Sequence, residues 1–244
     1  MQQNNSPRVL IILGGFGSGK SEYAINLALQ TAAFSDLRSA LVDLDLVNAY
    51  FRSREVRALL ESHGIEAVVP PDNIMFSDLP IAGPGIGALI KDTSCRVILD
   101  VGGDDIGATA LGTYREEILS SDASLCMVVN PFRPFTNTMD NIIRMKTDIE
   151  YSSGLTVNAL ISNPNIGPGT GLQQIIDKHH LVKEAGQHMN LPVIELLVLE
   201  DLYHHHHQEL DSLGTPVRPL IIHLLPPWLL KQQKEDMKSD TASI

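Results

Sequence analysis

Short apolar runs alternate with stretches of helical spacing along most of the chain. Arg8 to Leu13 is apolar and rich in β-branched residues, which predicts a first strand, and it ends in a glycine-rich turn. Ser21 to Ala33 then shows helical spacing through Tyr23, Ile25, Leu27 and Ala28. Ala40 to Leu44 reads as a second strand, Ser53 to Ser62 as a helix, and Ile65 to Val69 as a third strand stopped by Pro70 and Pro71. Arg96 to Val101 and Leu125 to Val129 follow as the fourth and fifth strands. A turn containing proline leads from the fifth into a long helix from Thr136 to Tyr151. Thr156 to Ser162 predicts a sixth strand ending in the turn Asn163-Pro164-Asn165, Leu172 to Met189 a helix, and Val193 to Leu199 and Val217 to Leu224 two more strands. Strands that are apolar throughout are covered on both faces, and here amphipathic helices separate them. The expectation is an α/β, doubly wound, mostly parallel sheet of seven or eight strands with helices on both faces. No internal repeat interrupts residues 1–225, which are read as one domain. Residues 226–244 turn polar and are expected to form a flexible tail.

Composition narrows the partners. The 244 residues are 43% hydrophobic, enough for a large core, and carry a net charge of −11. With 18 basic and 29 acidic residues, a broad basic face for nucleic acid is not expected. Met1 to Pro7 is polar and lacks the apolar stretch of a signal peptide. No apolar run approaches the roughly 18 residues of a membrane helix. Trp228-Leu229-Leu230 offers too small an apolar face for stable membrane anchoring. Cys95 and Cys126 each lie beside an apolar run and read as buried thiols in a reducing compartment. The chain is expected to be cytoplasmic.

The turn after the first strand carries chemistry. Gly14-Gly15-Phe16-Gly17-Ser18-Gly19-Lys20-Ser21 fits the phosphate-loop pattern G-x-x-x-x-G-K-S/T, and it follows a strand and opens a helix, as the mechanism requires. Glycines let the backbone curl and aim N–H groups at phosphate oxygens, and the helix N-terminus adds partial positive charge. Gly15, Phe16, Gly17, Ser18 and Gly19 are expected to line the loop. Lys20 is expected to reach the β- and γ-phosphates, and Ser21 to ligate Mg2+ through its hydroxyl. A merely structural glycine turn is the bland alternative, which the strand–helix context disfavours.

A nucleotide site also needs carboxylates for Mg2+ and a sensor of the γ-phosphate. Asp100 follows Val97-Ile98-Leu99 and falls at the carboxyl end of a buried strand, the edge at which open sheets place ligands. Asp100-Val101-Gly102-Gly103 fits D-x-x-G, in which Asp100 would hold a Mg2+-bound water and the Gly103 N–H would meet the γ-phosphate. Asp43 and Asp45 flank the end of the second strand on one side. Two such carboxylates repel unless a cation or a proton intervenes, and Mg2+ with its waters is such a cation. The alternative is a solvated turn with one helix-capping aspartate.

Together, the phosphate loop, the D-x-D after the second strand and the D-x-x-G after the fourth resemble the MinD/ParA/cobyrinate-synthase-like (SIMIBI) class of P-loop proteins, from Arg8 to Leu199. The resemblance implies ATP and Mg2+, ATP hydrolysis, and often an ATP-dependent homodimer. By position it implies Asp43 near Mg2+ and Asp45 facing the attacking water, with Lys20, Asp45 and Asp100 as the catalytic set and Ser21, Asp43 and Asp100 as the metal set. Asn163 stands where that class has an asparagine at the adenine edge. An amide has both donor and acceptor for that task, and a simple Asn-Pro turn is the alternative. Ser162-Asn163-Pro164-Asn165 lacks the N-K-x-D of GTP-selective P-loop proteins, so ATP is expected over GTP. The chain departs from the class at Gly15, where many members carry a second lysine that reaches the partner's phosphates. That departure bears on the partner-activated mechanism and leaves ATP binding intact; synthetase-like members also lack that lysine.

Three weaker signals remain. Asn48 to Glu55 could act as a switch segment with Arg52 or Arg54 on phosphate or an anionic substrate, or form a helix-start surface with Arg–Glu pairing. Arg133, in Asn130-Pro131-Phe132-Arg133-Pro134, is a candidate substrate contact or part of a surface turn. His204 to His207 suit nickel or zinc, but consecutive histidines on a helix point apart, which favours a solvated face. Three functions fit: an ATPase coupling nucleotide state to a protein partner, an ATP-dependent synthetase or kinase acting on a small acid, and a nucleotide-binding module without turnover.

Overall fold

The computed structural model describes residues 7–34, 37–45, 54–68, 85–167 and 169–224. The expected tail, the Asn48–Ser53 run with Arg52, the Arg54 side chain and Trp228 lie outside them. Eight strands are present: β1 (Val9–Gly14), β2 (Arg38–Leu44), β3 (Ile65–Val68), β4 (Cys95–Gly102), β5 (Ala123–Val129), β6 (Ala159–Ser162), β7 (Val193–Leu199) and β8 (Val217–Leu220). They form one sheet in the order β3-β2-β4-β1-β5-β6-β7-β8, and every pairing is parallel. Helices α1 (Lys20–Ala32), α2 (Arg54–Ser62), α3 (Ile86–Lys91), α4 (Asp105–Gly112), α5 (Arg115–Leu119), α6 (Met139–Ser153), α7 (Leu172–Met189) and α8 (Glu200–Asp211) connect them.

The apolar strand residues divide between two cores by alternation. Val9, Ile11 and Leu13 with Val97, Leu99 and Val101 face the layer of α3 to α7. Ile12, Ile98, Cys126 and Val128 face α1 and α2. This is the two-faced burial expected of continuous apolar strands in a parallel sheet. The chain builds outward from β1 to β3, returns through β4, and then extends the other way through β5 to β8, so β1 and its loop sit at the centre. Both cysteines are free and buried, and burial pushes the Cys126 thiol up to about 11.

Several boundaries differ from expectation for local reasons. The long helix begins at Met139, because Pro134–Thr136 forms a 3-10 turn and Thr138 then caps α6 by accepting from the Asn141 N–H. Gly154, at φ 66°, ends that helix. The short helices α3, α4 and α5 show no long apolar period; Asp104 starts α4 by accepting from the Gly107 N–H. The last strand stops at Leu220, and its Pro219 is tolerated because β8 is an edge strand.

His179 of α7 is fully buried, with Nε2 3.0 Å from the Thr215 hydroxyl and Nδ1 without a partner among the described residues. Burial, aided by the nearby charges of Lys183 and His180, lowers its pKa to about 4. The unfolded chain takes up this proton at about 6.5, so between those values the unfolded state binds more protons and stability is lost as the pH falls. In urea unfolding at pH 7.5, 6 and 5, the wild type is expected to lose stability relative to H179Q, by up to about 1.4 kcal/mol per pH unit. Parallel curves would show that His179 titrates alike in both states.

Candidate functional site

The loop after β1 crosses the middle of the carboxyl edge and closes into α1 at Lys20. Gly17 and Gly19 have φ of 72° and 87°, the left-handed region that glycine enters without penalty. A Cβ at Gly19 would also lie 2.2 Å from the Asn163 amide nitrogen. Four of the loop's carbonyls, those of Gly15, Gly17, Ser18 and Gly19, are taken up by protein donors. The Ser18 N–H donates to Gly15 O at 3.0 Å, and the Tyr23 N–H to Gly19 O at 3.0 Å. Gly17 O accepts from Asn130 Nδ2 at 3.2 Å and from Arg133 Nε at 3.0 Å, and Ser18 O accepts from Asn163 Nδ2 at 2.7 Å. An anion in the loop would therefore not meet an array of unsatisfied carbonyl oxygens.

Lys20 and three aspartates share the α1 side of the sheet. Asp43 on β2 and Asp100 on β4 are register partners, and Asp45 follows one step beyond β2. Lys20 Nζ lies 2.6 Å from Asp45 Oδ2, with both side chains buried. The Asp45 N–H donates to Asp43 Oδ1 at 2.9 Å. Burial alone would lower the Lys20 pKa, but Asp100, Asp45 and Asp43 together raise it, so the ammonium stays charged. Asp100 is 1% exposed, and neither of its oxygens has a hydrogen-bond partner among the described residues. Burial raises its pKa to about 6 against the opposing Lys20 charge and the adjacent Ser21 hydroxyl.

The Asp100 oxygens beside Ser21 are hard donors suited to Mg2+. Among the described residues no group of three His, Cys, Asp or Glu side chains closes on a metal.

The remaining expected residues fall as follows. Gly103 backs directly onto the loop: a Cβ there would lie 2.3 Å from Gly14 C and 2.7 Å from the Gly15 nitrogen. Gly15 faces Met145 of α6, whose Cε would be 2.8 Å from an added Cβ. Phe16 is 72% exposed at the loop's tip. Asn163 keeps Oδ1 buried and without a hydrogen-bond partner, although its amide nitrogen is committed to Ser18 O. Arg133 lies across the loop, exposed, through its bond to Gly17 O. His204 to His207 diverge within α8: His205 Nδ1 lies 2.6 Å from Asp201 O, His206 is 3.7 Å from Glu209, and the helix kinks at His206. Sequence reasoning missed Asn130, Met145 and Glu22. Asn130 did fall at a strand's carboxyl end, the one available signal.

A cleft of about 370 Å³ opens beside the loop between Gly17, Gly19, Asn163, Leu199 and Ile222. A second hollow of about 360 Å³ adjoins it, sharing Asn165, Gly167 and Leu199. No helix among the described residues is long and apolar enough to cross a membrane.

Neither a protein-family model nor a curated protein matches the chain. Solved structures do match in fold. FtsY from Mycoplasma mycoides superposes with a TM-score of 0.51 at 13% identity, over 79% of this chain and 60% of that one. The signal recognition particle receptor FtsY from Elizabethkingia anophelis, in complex with GDP, gives 0.51 at 16% identity over 81% and 59%. The cell division protein ftsY from Thermotoga maritima gives 0.50 at 13% over 80% and 63%. This chain spans about three fifths of the length of these proteins. The fold is that of the P-loop NTPases, an α/β sheet of eight parallel strands with helices on both faces.

The buried Asn130 side chain makes three bonds: to Gly17 O, to Asn165 O at 2.8 Å, and from the Phe132 N–H to its Oδ1 at 3.1 Å. Asn130→Ala leaves these groups unmatched and is expected to cost about 1–3 kcal/mol in denaturant unfolding. A change within about 0.5 kcal/mol, the usual range for a neutral surface substitution, would mean the loop does not depend on this anchor.

Proposed function

We propose that the chain binds ATP with Mg2+ in the loop formed by Gly14 to Ser21 and hydrolyses it, the nucleotide state setting its interaction with a protein partner or a second copy of itself. The observation that carries this reading is a buried, charged Lys20 at the start of α1, among Asp43, Asp45 and Asp100, beside a loop whose carbonyls are already bonded. In this reading Lys20 exchanges Asp45 for phosphate oxygens. Ser21 and Asp100 would hold the Mg2+, with Asp43 close by, and the ion would supply charge neutralisation to the phosphates. Asp45, released from Lys20, orients the attacking water. Gly103 stands near enough to the loop to present its N–H to the terminal phosphate.

Base choice rests on Asn163. Its unpartnered Oδ1 is an acceptor, which matches the adenine 6-amino group and opposes the 6-oxo group of guanine. One structural neighbour is a complex with GDP, and that likeness reaches the fold alone. The second reading, an ATP-dependent synthetase or kinase acting on a small acid, draws support from Met145 filling the space beside Gly15 and from Arg133 at the rim. A residence in the cytoplasm suits either reading.

Calorimetry is expected to show ATP·Mg2+ binding that Lys20→Ala weakens at least about a hundredfold, through loss of a charge-assisted contact to phosphate. GTP is expected to displace ATP at least about tenfold less well than ATP itself. Unchanged ATP affinity in a folded Lys20→Ala variant would sink the nucleotide reading, and equal GTP affinity would remove the role of Asn163.

Asp45→Asn is expected to keep ATP·Mg2+ affinity within about tenfold while most turnover is lost. Wild-type turnover in that variant would exclude Asp45 from the chemistry. If the wild type turns over only after a carboxylate-bearing or hydroxyl-bearing small molecule is added, the synthetase or kinase reading replaces the ATPase.

A further inference from the structure

The cleft beside the phosphate loop has two unlike sides. Toward the sheet centre it is polar, with the loop backbone and Asn163; toward the sheet edge it is apolar, with Leu199, Leu220, Ile222 and Leu224. The last two belong to residues 221–224, which continue past β8 without any ladder partner, because the β7–β8 register ends at Leu220. Two side chains of α1 hold this segment instead. Asn26 Oδ1 accepts from the Ile221 N–H at 3.0 Å, and Asn26 Nδ2 donates to Ile221 O at 2.8 Å. Glu22 accepts from the His223 N–H through Oε1 and from the Leu224 N–H through Oε2, the latter at 3.0 Å. Glu22 and Asn26 are one helical turn apart, so they present one continuous face to the segment. Glu22 lies two residues beyond the phosphate-loop lysine, which ties the apolar wall to the same helix that opens the loop.

We propose that Glu22, with Asn26, fixes residues 221–224 as the wall of the nucleotide cleft that receives the base, and so gives the site its selectivity for a nucleobase-bearing triphosphate over bare polyphosphate. This rests on the nucleotide reading above. An aromatic base gains from apolar faces, whereas a polyphosphate has none to bury. Glu22 is a positioning residue: both of its oxygens are spent on backbone N–H groups, and it acts through Ile222 and Leu224. A carboxylate can satisfy two converging N–H groups at once, and an amide cannot, since its nitrogen is a donor.

The test titrates ATP and inorganic tripolyphosphate, each with Mg2+, into the full chain. E22Q is expected to lower ATP affinity about tenfold while tripolyphosphate affinity stays within about twofold. Amide exchange at His223 and Leu224 is expected to quicken in E22Q. Ile222→Ser keeps both Glu22 bonds and removes apolar wall, so it is expected to show the same selective loss with exchange at His223 and Leu224 unchanged. E22Q weakening both ligands alike, or neither, overturns the proposal, as does Ile222→Ser binding ATP like the wild type. A wild type that takes neither ligand instead removes the nucleotide reading itself, and this inference with it.

Discussion

Everything at the carboxyl edge turns on one buried ammonium. Lys20 has left water at the start of α1, and an unpaired charge in that position would cost several kcal/mol. Asp45 at 2.6 Å, with Asp43 and Asp100 nearby, reverses the effect of burial and keeps the lysine charged. The carboxylates in turn depend on the lysine: without it, three acids on two adjacent strand ends would repel or take up protons. Burial pushes the Asp100 carboxyl up to about 6 against the opposing Lys20 charge. In the proposed reading, a triphosphate would bring anions to Lys20, and Mg2+ would bring a cation to Asp100 and Ser21.

The loop that carries Lys20 is shaped from behind as much as from within. Its glycines permit the left-handed turns at positions 17 and 19, but permission does not select one conformation. Selection comes from Asn130, Arg133 and Asn163, which reach from the ends of β5 and β6 and fasten the carbonyls of Gly17 and Ser18. Turning those carbonyls toward side chains commits the loop's acceptors to the protein, a prerequisite for an anion cradle. The neighbouring strand ends thus enforce what the motif alone allows.

Much of this was legible in the sequence because each signal was dense. Continuous apolar runs such as Val97 to Leu99 announce strands buried on both faces, and the expectation of seven or eight strands meets eight, most within a few residues of their expected ends. The phosphate loop, Asp43, Asp45 and Asp100 were readable because motif and strand end coincide, and the structure does bring these residues together around Lys20. The short helices α3, α4 and α5 were not, since one or two turns give no period and α4 is held by its Asp104 cap and by close packing at Gly107. Asn130, Met145 and Glu22 were missed for a different reason. Their roles arise from contacts across more than 100 residues of sequence, as in Glu22 bonding to Leu224, and no local pattern records such a meeting.

The edge of the sheet gives the last connection. An all-parallel sheet that ends in β8 exposes backbone groups that another strand could pair with. Here the edge strand is only four residues long, contains Pro219, and hands its continuation to side chains of α1 rather than to a further strand. The arrangement that blunts the edge also turns Ile222 and Leu224 toward the cleft beside the phosphate loop. Glu22 and Lys20 share the first turn of one helix. Protecting the sheet's edge and shaping the cleft beside the Gly14–Ser21 loop are therefore a single constraint on α1, met by the half-buried Glu22 and the buried Asn26.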